Sequence, residues 1–229
     1  MNLRTFPLLL ALLPARPLAA QLPLPQIRQY LGGEFAISRP RFQTASPGGG
    51  EKLSGLMVGG RLHVALHPVS LDLSYSQGRL TADTGGAAAR AIVEGSLLAT
   101  ARPLDWLALK VGPHLRAYAA PGGTERWVLW EARAHAETPI LEGRWLAYGE
   151  LWLAVGSSVN VDPGSAGARG AEAGLTIKLP QSPLWVRLGY AVDQARLKND
   201  TRIESVQSVI LAVALAARVP DHIITFGHR

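Results

Sequence analysis

The fold of this chain depends on the stretch RPLDWLALKVGPHLRAY, residues 102–118. Its apolar side chains are Leu107, Leu109, Val111, Leu115 and Ala117. They alternate with Ala108, Lys110, Gly112, His114 and Arg116. Successive side chains of a β-strand point to opposite faces, so a period of two indicates a strand with one apolar and one polar face. Which face points outward decides the kind of protein.

The same alternation recurs along the chain and predicts about ten strands. Their predicted bounds are residues 33–42, 53–66, 69–76, 90–101, 104–119, 125–137, 144–157, 169–179, 184–195 and 203–216. Strands of soluble proteins usually have about 5–6 residues. A tilted strand of about 12 residues spans close to 30 Å, enough for the ~25 Å apolar band of a membrane barrel. The strand lengths therefore favour a barrel that crosses a bilayer.

The two faces of these strands differ in chemistry. The apolar face is rich in Ala, Leu and Val, poor in Phe, and uncharged through the middle of the strands, which favours contact with lipid. The opposite face carries both signs of charge, with Leu129, Leu146 and Trp152 as exceptions. A bulge at Gly112-Pro113 would change the face of the residues after it. We predict a salt-bridged lumen lined by Arg61, Glu94, Lys110, Arg116, Glu131, Arg133, Glu150, Glu172, Arg187 and Asp193.

Aromatic residues lie near both ends of the predicted strands. We predict that two aromatic levels form the interfacial girdle of a membrane barrel. The level near the short turns consists of Trp106, Trp145 and Trp185, and the level near the long loops consists of Tyr75, Tyr118 and Trp127.

The connections alternate between long or glycine-rich loops, such as SPGGGE, and short proline-bearing turns, such as HPV. Outer-membrane barrels have long extracellular loops and short periplasmic turns, and an up-and-down meander places every second connection at the same end. With ten strands both termini fall at the short-turn end. The segment ETPILEG is the one exception to the alternation, because it is long for a turn.

Composition limits the classes of protein that fit. Residues 1–20 have the order of a secretory signal peptide: a basic residue, an apolar stretch and small residues at the end. We predict a leader segment over 21–32, a barrel over 33–217 and a tail over 218–229. The net charge of +6 becomes +4 without the signal, and the basic residues are scattered, so nucleic acid is not an expected partner. After the signal, no apolar run approaches the roughly 18 residues of a membrane helix.

The chain resembles the small outer-membrane β-barrel proteins of Gram-negative bacteria, those with eight to twelve strands. The resemblance rests on the signal, the long alternating strands, the loop pattern and pieces such as RPLDWLALKVG and SPLWVRLGY. It implies a closed up-and-down antiparallel transmembrane barrel of about ten strands, exported through the periplasm to the outer membrane. Outer-membrane lipids and the barrel-insertion machinery are the implied partners. The end departs from the class, whose members commonly finish on an aromatic residue, because Phe226 lies three residues before the terminus.

We expect a structural or surface barrel or a narrow passage. Alternation alone also fits a soluble periplasmic barrel with an apolar ligand inside. A third hypothesis is a hydrolase at the outer rim, where only His114 could approach the rim acids. No catalytic motif such as GxSxG or HExxH occurs, so catalytic residues and cofactors are not assigned. No metal site is expected, since His63 and His67 would lie about 13 Å apart on a strand.

Overall fold

The computed structural model describes residues 30–218 except residues 48, 67–68, 84–87, 121–122 and 142–144. These residues form ten strands and one short 3-10 helix, Lys198–Asp200. The strands are β1 Tyr30–Ala45, β2 Lys52–Leu66, β3 Val69–Ala82, β4 Arg90–Leu104, β5 Leu107–Ala120, β6 Gly123–Ile140, β7 Trp145–Val159, β8 Ser165–Lys178, β9 Leu184–Leu197 and β10 Ile203–Arg218. None of the described residues belongs to a helix long and apolar enough to span a membrane.

The strands close into one antiparallel barrel. Each strand pairs with the next one in the sequence, and β1 pairs with β10 from Tyr30↔Arg218 to Ala45↔Ile203. Closure gives every strand a hydrogen-bonded neighbour on both sides, so no strand remains as a sheet edge. The predicted fold, a closed up-and-down barrel of about ten strands, is confirmed.

All ten predicted strands are present, and several are longer than predicted. β3 continues to Ala82 and β6 continues to Ile140. The connection that broke the loop pattern is therefore only residues 141–144. β1 begins at Tyr30, inside the segment predicted as a leader. The predicted signal peptide, most of the leader and nearly all of the tail lie outside the described residues.

The apolar face of the strands points outward. Leu151, Leu153 and Val155 of β7 expose 67%, 53% and 63% of their surface, and most other strands expose leucines and valines in the same way. The charged face points into the barrel. This arrangement is the reverse of a soluble barrel with an apolar interior.

The strand pairing at two places, after Trp130 and at Pro113, bears on which side chains enter the lumen. The register between β6 and β7 shifts by one residue after Trp130, which is paired with Gly156, whereas Glu131 is paired with Ala154. Pro113 does not shift the pairing of β5 with β6, because Gly112↔Glu131 and His114↔Leu129 keep one register. His114 and Arg116 therefore stay on the inward face.

Candidate functional site: the lumen and its two ends

The inward side chains fill the barrel in distinct levels along its axis. We call the end with the β2–β3, β4–β5, β6–β7 and β8–β9 connections the turn end, and the opposite end the loop end. The strands run alternately between these ends, so residues distant in the sequence meet at one level.

A first ionic cluster lies in the turn-side half of the lumen. Arg187 of β9 binds Glu34 of β1, with Nη2 2.6 Å from Oε1 and Nε 3.0 Å from Oε2, which is a bidentate pair. Arg187 also contacts Glu172, and the Tyr148 hydroxyl donates to Glu172 at 2.7 Å. Four strands are joined by this cluster.

A second cluster is centred on Glu150 of β7. Lys110 Nζ donates to Glu150 Oε2 at 2.7 Å, and Arg133 Nη1 donates to Glu150 Oε1 at 2.9 Å. Arg133 also binds Glu131, whose other oxygen lies 2.6 Å from Nδ1 of His114. Glu131 is fully buried. A buried carboxylate of this kind is stable only because several donors surround it.

The uppermost cluster of the charged region joins Arg116 to Glu94 and Asp193. Arg116 Nη2 donates to Asp193 Oδ2 at 3.0 Å, and Arg116 Nε donates to Glu94. Trp152 Nε1 donates to the second oxygen of Asp193 at 2.9 Å. Trp152 therefore links this cluster to the apolar residues above it.

The structure brings nine of the ten predicted lumen charges into ion pairs. These are Glu94, Lys110, Arg116, Glu131, Arg133, Glu150, Glu172, Arg187 and Asp193. Arg61, the tenth, lines the lumen cavity and has no ion pair among the described residues. The prediction omitted Glu34 of β1. Glu34 is in phase with Ala36, Ser38 and Phe42, which also face inward, so alternation could have assigned it to the lumen. The prediction also omitted Asp72, which accepts hydrogen bonds from His63 and Thr100, each at 2.8 Å.

An apolar layer closes the lumen towards the loop end. Its most buried members expose 2% of their surface or less: Phe42, Leu53, Leu80, Ile92, Tyr118, Trp127 and Leu129. The buried Trp152, Leu197 and Val206 also belong to it, and the partly buried Ala168 packs against it, so every strand contributes a side chain. The rings of Phe42 and Tyr118 lie 5.2 Å apart, tilted by 58°. Leu129 and Trp152, two exceptions to the charged face in the sequence, were the signal for this layer.

Three of the six residues predicted for the aromatic girdle hold inward positions instead. Tyr118 and Trp127 face the lumen, because alternation puts them in phase with Arg116 and Leu129. Trp185 also has an inward position, because its neighbours Leu184 and Val186 take the outward ones. Lys178 Nζ lies 5.7 Å from the centre of the Trp185 ring. The physical reason is the strand pleat, which decides the face of a residue regardless of how near the strand end it lies.

Outward aromatic side chains do lie at two heights on the barrel. Trp106 and Trp145 are placed towards the turn end, as predicted. Towards the loop end the exposed rings are those of Tyr75, Trp130 and Tyr190. The predicted girdle did not include Trp130 and Tyr190, although the alternation of the sequence places both on the outward face.

A third ionic level lies above the apolar layer at the loop end. Arg90 pairs with Glu51, and Arg202 pairs with Glu125 and with Glu204, the last at 2.7 Å. Burial alone would lower the pKa of the Arg202 guanidinium, but Glu204 and Glu125 raise that pKa above its ordinary value. Arg202 is therefore charged at any physiological pH.

The free space in the charged region of the lumen is small. A cavity of about 190 Å³ lies within the charged region, where β1 to β4 present small inward side chains such as Ser38, Gly59, Ser74 and Ser96. Ligand sites for drug-sized molecules usually have about 300–1,000 Å³. The cavity is bounded by charged groups, so it does not resemble a site for an apolar ligand.

The structure places His114 away from the outer rim. It lies below the apolar layer, is almost fully buried, and contacts Glu131 rather than the rim acids. The part of the chain that the structure describes has no group of three or more His, Cys, Asp or Glu that could hold a metal ion. His135 and Tyr148 stack with ring centroids 5.7 Å apart, near the turn end.

Comparison with known proteins addresses the fold. No protein-family model matches the sequence, and no curated protein matches it either. The chain is similar in structure to the outer-membrane protease OmpT of Escherichia coli, with a TM-score of 0.56 and 10% identity over 83% of this chain and 97% of that one. An outer-membrane channel of Pseudomonas putida F1 is similar with a TM-score of 0.51 and 9% identity, over 84% of this chain and 96% of that one.

The translocator domain of the autotransporter NalP from Neisseria meningitidis is also similar, with a TM-score of 0.50 and 10% identity over 81% of this chain and 88% of that domain. These identities are too low to transfer an activity, and the three proteins differ from one another in what they do. Their likeness to this chain concerns the path of the strands. The closed ring of ten antiparallel strands, apolar outside and charged inside, is the fold of the small outer-membrane β-barrel proteins.

Proposed function

We propose that this protein is a structural or surface barrel of the outer membrane whose lumen does not conduct. The observation that carries this proposal is the apolar layer, in which Phe42, Leu53, Leu80, Trp127 and Leu129 are buried across the loop-side lumen. Water and ions cross a membrane through polar, hydrated space, and a dry plug of close-packed side chains opposes both. The ion-paired clusters below form a second obstruction.

The outer membrane is the location that this proposal requires. An outward belt of exposed leucines and valines would be unfavourable in water and suits hydrocarbon. Outer-membrane lipids would then cover the belt, and the barrel-insertion machinery would be needed to place it there. Cell fractionation tests the location. A gel of unboiled and boiled samples tests the barrel, since a resistant barrel migrates differently before heating.

Single-channel recording in planar bilayers tests the closed lumen. We expect the wild-type protein, shown to be inserted by its heat-modifiable migration, to give no current steps. Stable steps of one size would overturn the proposal. Because replacing Trp127 by alanine removes a large part of the layer, Trp127→Ala combined with Arg116→Ala should produce steps. Leu211→Ala on the outer surface, where Leu211 is exposed, is the matched control and should stay silent.

The cavity in the charged region favours a second candidate, a narrow passage. It is lined by both signs of charge and by small side chains on β1 to β4, so part of the lumen is already polar and open. This function requires the apolar layer to move aside. If wild-type steps are recorded, charge reversal by Arg133→Glu should change the ratio of anion to cation current. An unchanged ratio would exclude a passage past Arg133.

A further inference from the structure

The outer surface carries a patch of arginines at the loop end. Arg39 and Arg41 hold outward positions of β1, Arg79 holds an outward position of β3, and all three side chains are exposed. We call these three residues the arginine patch. Other exposed basic residues lie in outward positions near the loop end, namely Lys52, Arg126 and Arg169, but only on β1 to β3 do three arginines lie together.

Strand pairing brings the three arginines together. Arg41 is paired with Ser54 of β2, and Arg79 is paired with Leu56 of the same strand. The register on either side of Arg39 places it beside Leu56 as well. Neighbouring strands lie about 4.8 Å apart, so the backbones of Arg39 and Arg79 are about 10 Å apart. Arg39 and Arg41 are about 7 Å apart along β1. Long side chains can converge over this distance.

No carboxylate forms an ion pair with the patch among the described residues. None of the ion pairs includes Arg39, Arg41 or Arg79. The two adjoining connections, 46–51 and 83–89, contain one acid each. Glu51 pairs with Arg90, and Asp83 accepts a hydrogen bond from Ser54. The contrast with the lumen, where nine of ten predicted charges are paired, indicates a partner outside the chain.

The patch lies where the apolar belt ends. On β1, the outward Phe35 and Ile37 precede Arg39, and on β3 the outward Tyr75 precedes Arg79. Tyr75 donates to Gln77 at 3.1 Å, which marks the change from apolar to polar surface. A guanidinium at such a boundary can keep its stem in the apolar layer while its head reaches the lipid headgroups.

We propose that the arginine patch binds the phosphate groups of a phosphorylated lipid in the leaflet at the loop end. The planar guanidinium donates two parallel hydrogen bonds to a phosphate, a geometry that a lysine ammonium cannot reproduce. This inference rests on the proposed function, in that the strands must cross the outer membrane with the loops outward. The occupant is the headgroup of a lipid beside the barrel rather than a soluble ligand in the lumen.

Native mass spectrometry of the full chain in neutral detergent tests the proposal. The probes are a diphosphorylated glucosamine-disaccharide lipid and the same lipid with its phosphates removed. We expect the wild-type barrel to retain the phosphorylated lipid and not the dephosphorylated one. Each basic group near an anionic surface contributes roughly a fivefold factor, so the variant Arg39→Gln, Arg41→Gln, Arg79→Gln should bind about a hundredfold more weakly. The corresponding triple lysine variant should recover only part of the affinity.

Arg196→Gln is the matched control. Arg196 also lies near the loop end but has a carboxylate partner, Asp200, at 4.0 Å, so its loss should leave lipid retention unchanged. Equal retention of the two lipids by the wild-type protein, or unchanged retention by a triple glutamine variant that still folds, would overturn lipid binding by the arginine patch. Neither result would affect the proposed function. A chain that stays soluble without detergent and shows no heat-modifiable migration would instead overturn the proposed function.

Discussion

The turn-side lumen and the apolar layer above it are built from the same inward positions of the same ten strands, yet they hold different chemistry. Below, Glu150, Arg133 and Arg187 are each held by two or more charged partners. Above, Phe42, Leu53 and Trp127 exclude water by packing. An ion-paired region depends on the identity of every partner, whereas an apolar region depends mainly on volume. Substitutions should therefore affect the two regions in different ways.

The largest effect is expected from Glu150→Ala. Lys110 has no other ion pair among the described residues, so this change leaves its ammonium buried without a carboxylate. We expect the free energy of unfolding to fall by about 3–5 kcal/mol. Urea unfolding in detergent, followed by tryptophan fluorescence, measures it. Replacing both Lys110 and Glu150 by methionine should restore much of the stability, because Arg133 keeps Glu131. A double variant as unstable as the single one would contradict the stated cause.

The apolar layer should respond to volume. Leu129→Ala removes buried apolar surface and leaves a cavity, so the free energy of unfolding should fall by about 2–5 kcal/mol. Leu129→Met keeps the volume and should change it by less than about 1.5 kcal/mol. The same urea experiment compares the two variants. If Leu129→Met lowers the free energy of unfolding as much as Leu129→Ala does, side-chain volume does not determine the stability of this layer.

Gly170 of β8 tests the contact between the two regions. A Cβ built there would lie 2.3 Å from Asp193 Oδ1 and 2.3 Å from Trp152 Nε1, the two atoms of the hydrogen bond that joins them. We expect Gly170→Ala to force these groups apart and to destabilise the barrel by about 1–3 kcal/mol. The near-ultraviolet circular dichroism of the tryptophans should change as well. An unchanged spectrum and stability would show that Trp152 is not held by Asp193.

The smallest effect is expected at the turn end, where Glu137 pairs with the exposed Arg102 at 2.9 Å. Solvent-exposed ion pairs contribute about 0–1 kcal/mol, so Glu137→Gln should change the free energy of unfolding by less than about 1 kcal/mol. The difference should shrink further in high salt because exposed charges are screened. A loss comparable to that of Glu150→Ala would remove the distinction between buried and exposed pairs.

Much of the lumen was predictable from alternation, because a strand side chain has only two faces to occupy. Lys110, Glu131 and Arg187, which alternation predicts to face the interior, take part in lumen ion pairs. Every predicted strand end lies within four residues of the observed end except at β3, which ends six residues further on. The errors in the aromatic girdle have one origin. Tyr118, Trp127 and Trp185 were assigned by their nearness to strand ends, although their parity already placed them inward.

Periodicity in the sequence determined the strands, their number and the two faces of each, because the pleat reverses side-chain direction at every residue. Only closure of the ring decided which side chains meet, since the pairing of β1 with β10 and the stagger of all ten strands bring residues such as Arg187 and Glu34 to one level. The apolar layer exists for the same reason. Phe42 and Trp127 are far apart along the chain, and only the curved, closed sheet turns them towards a common axis.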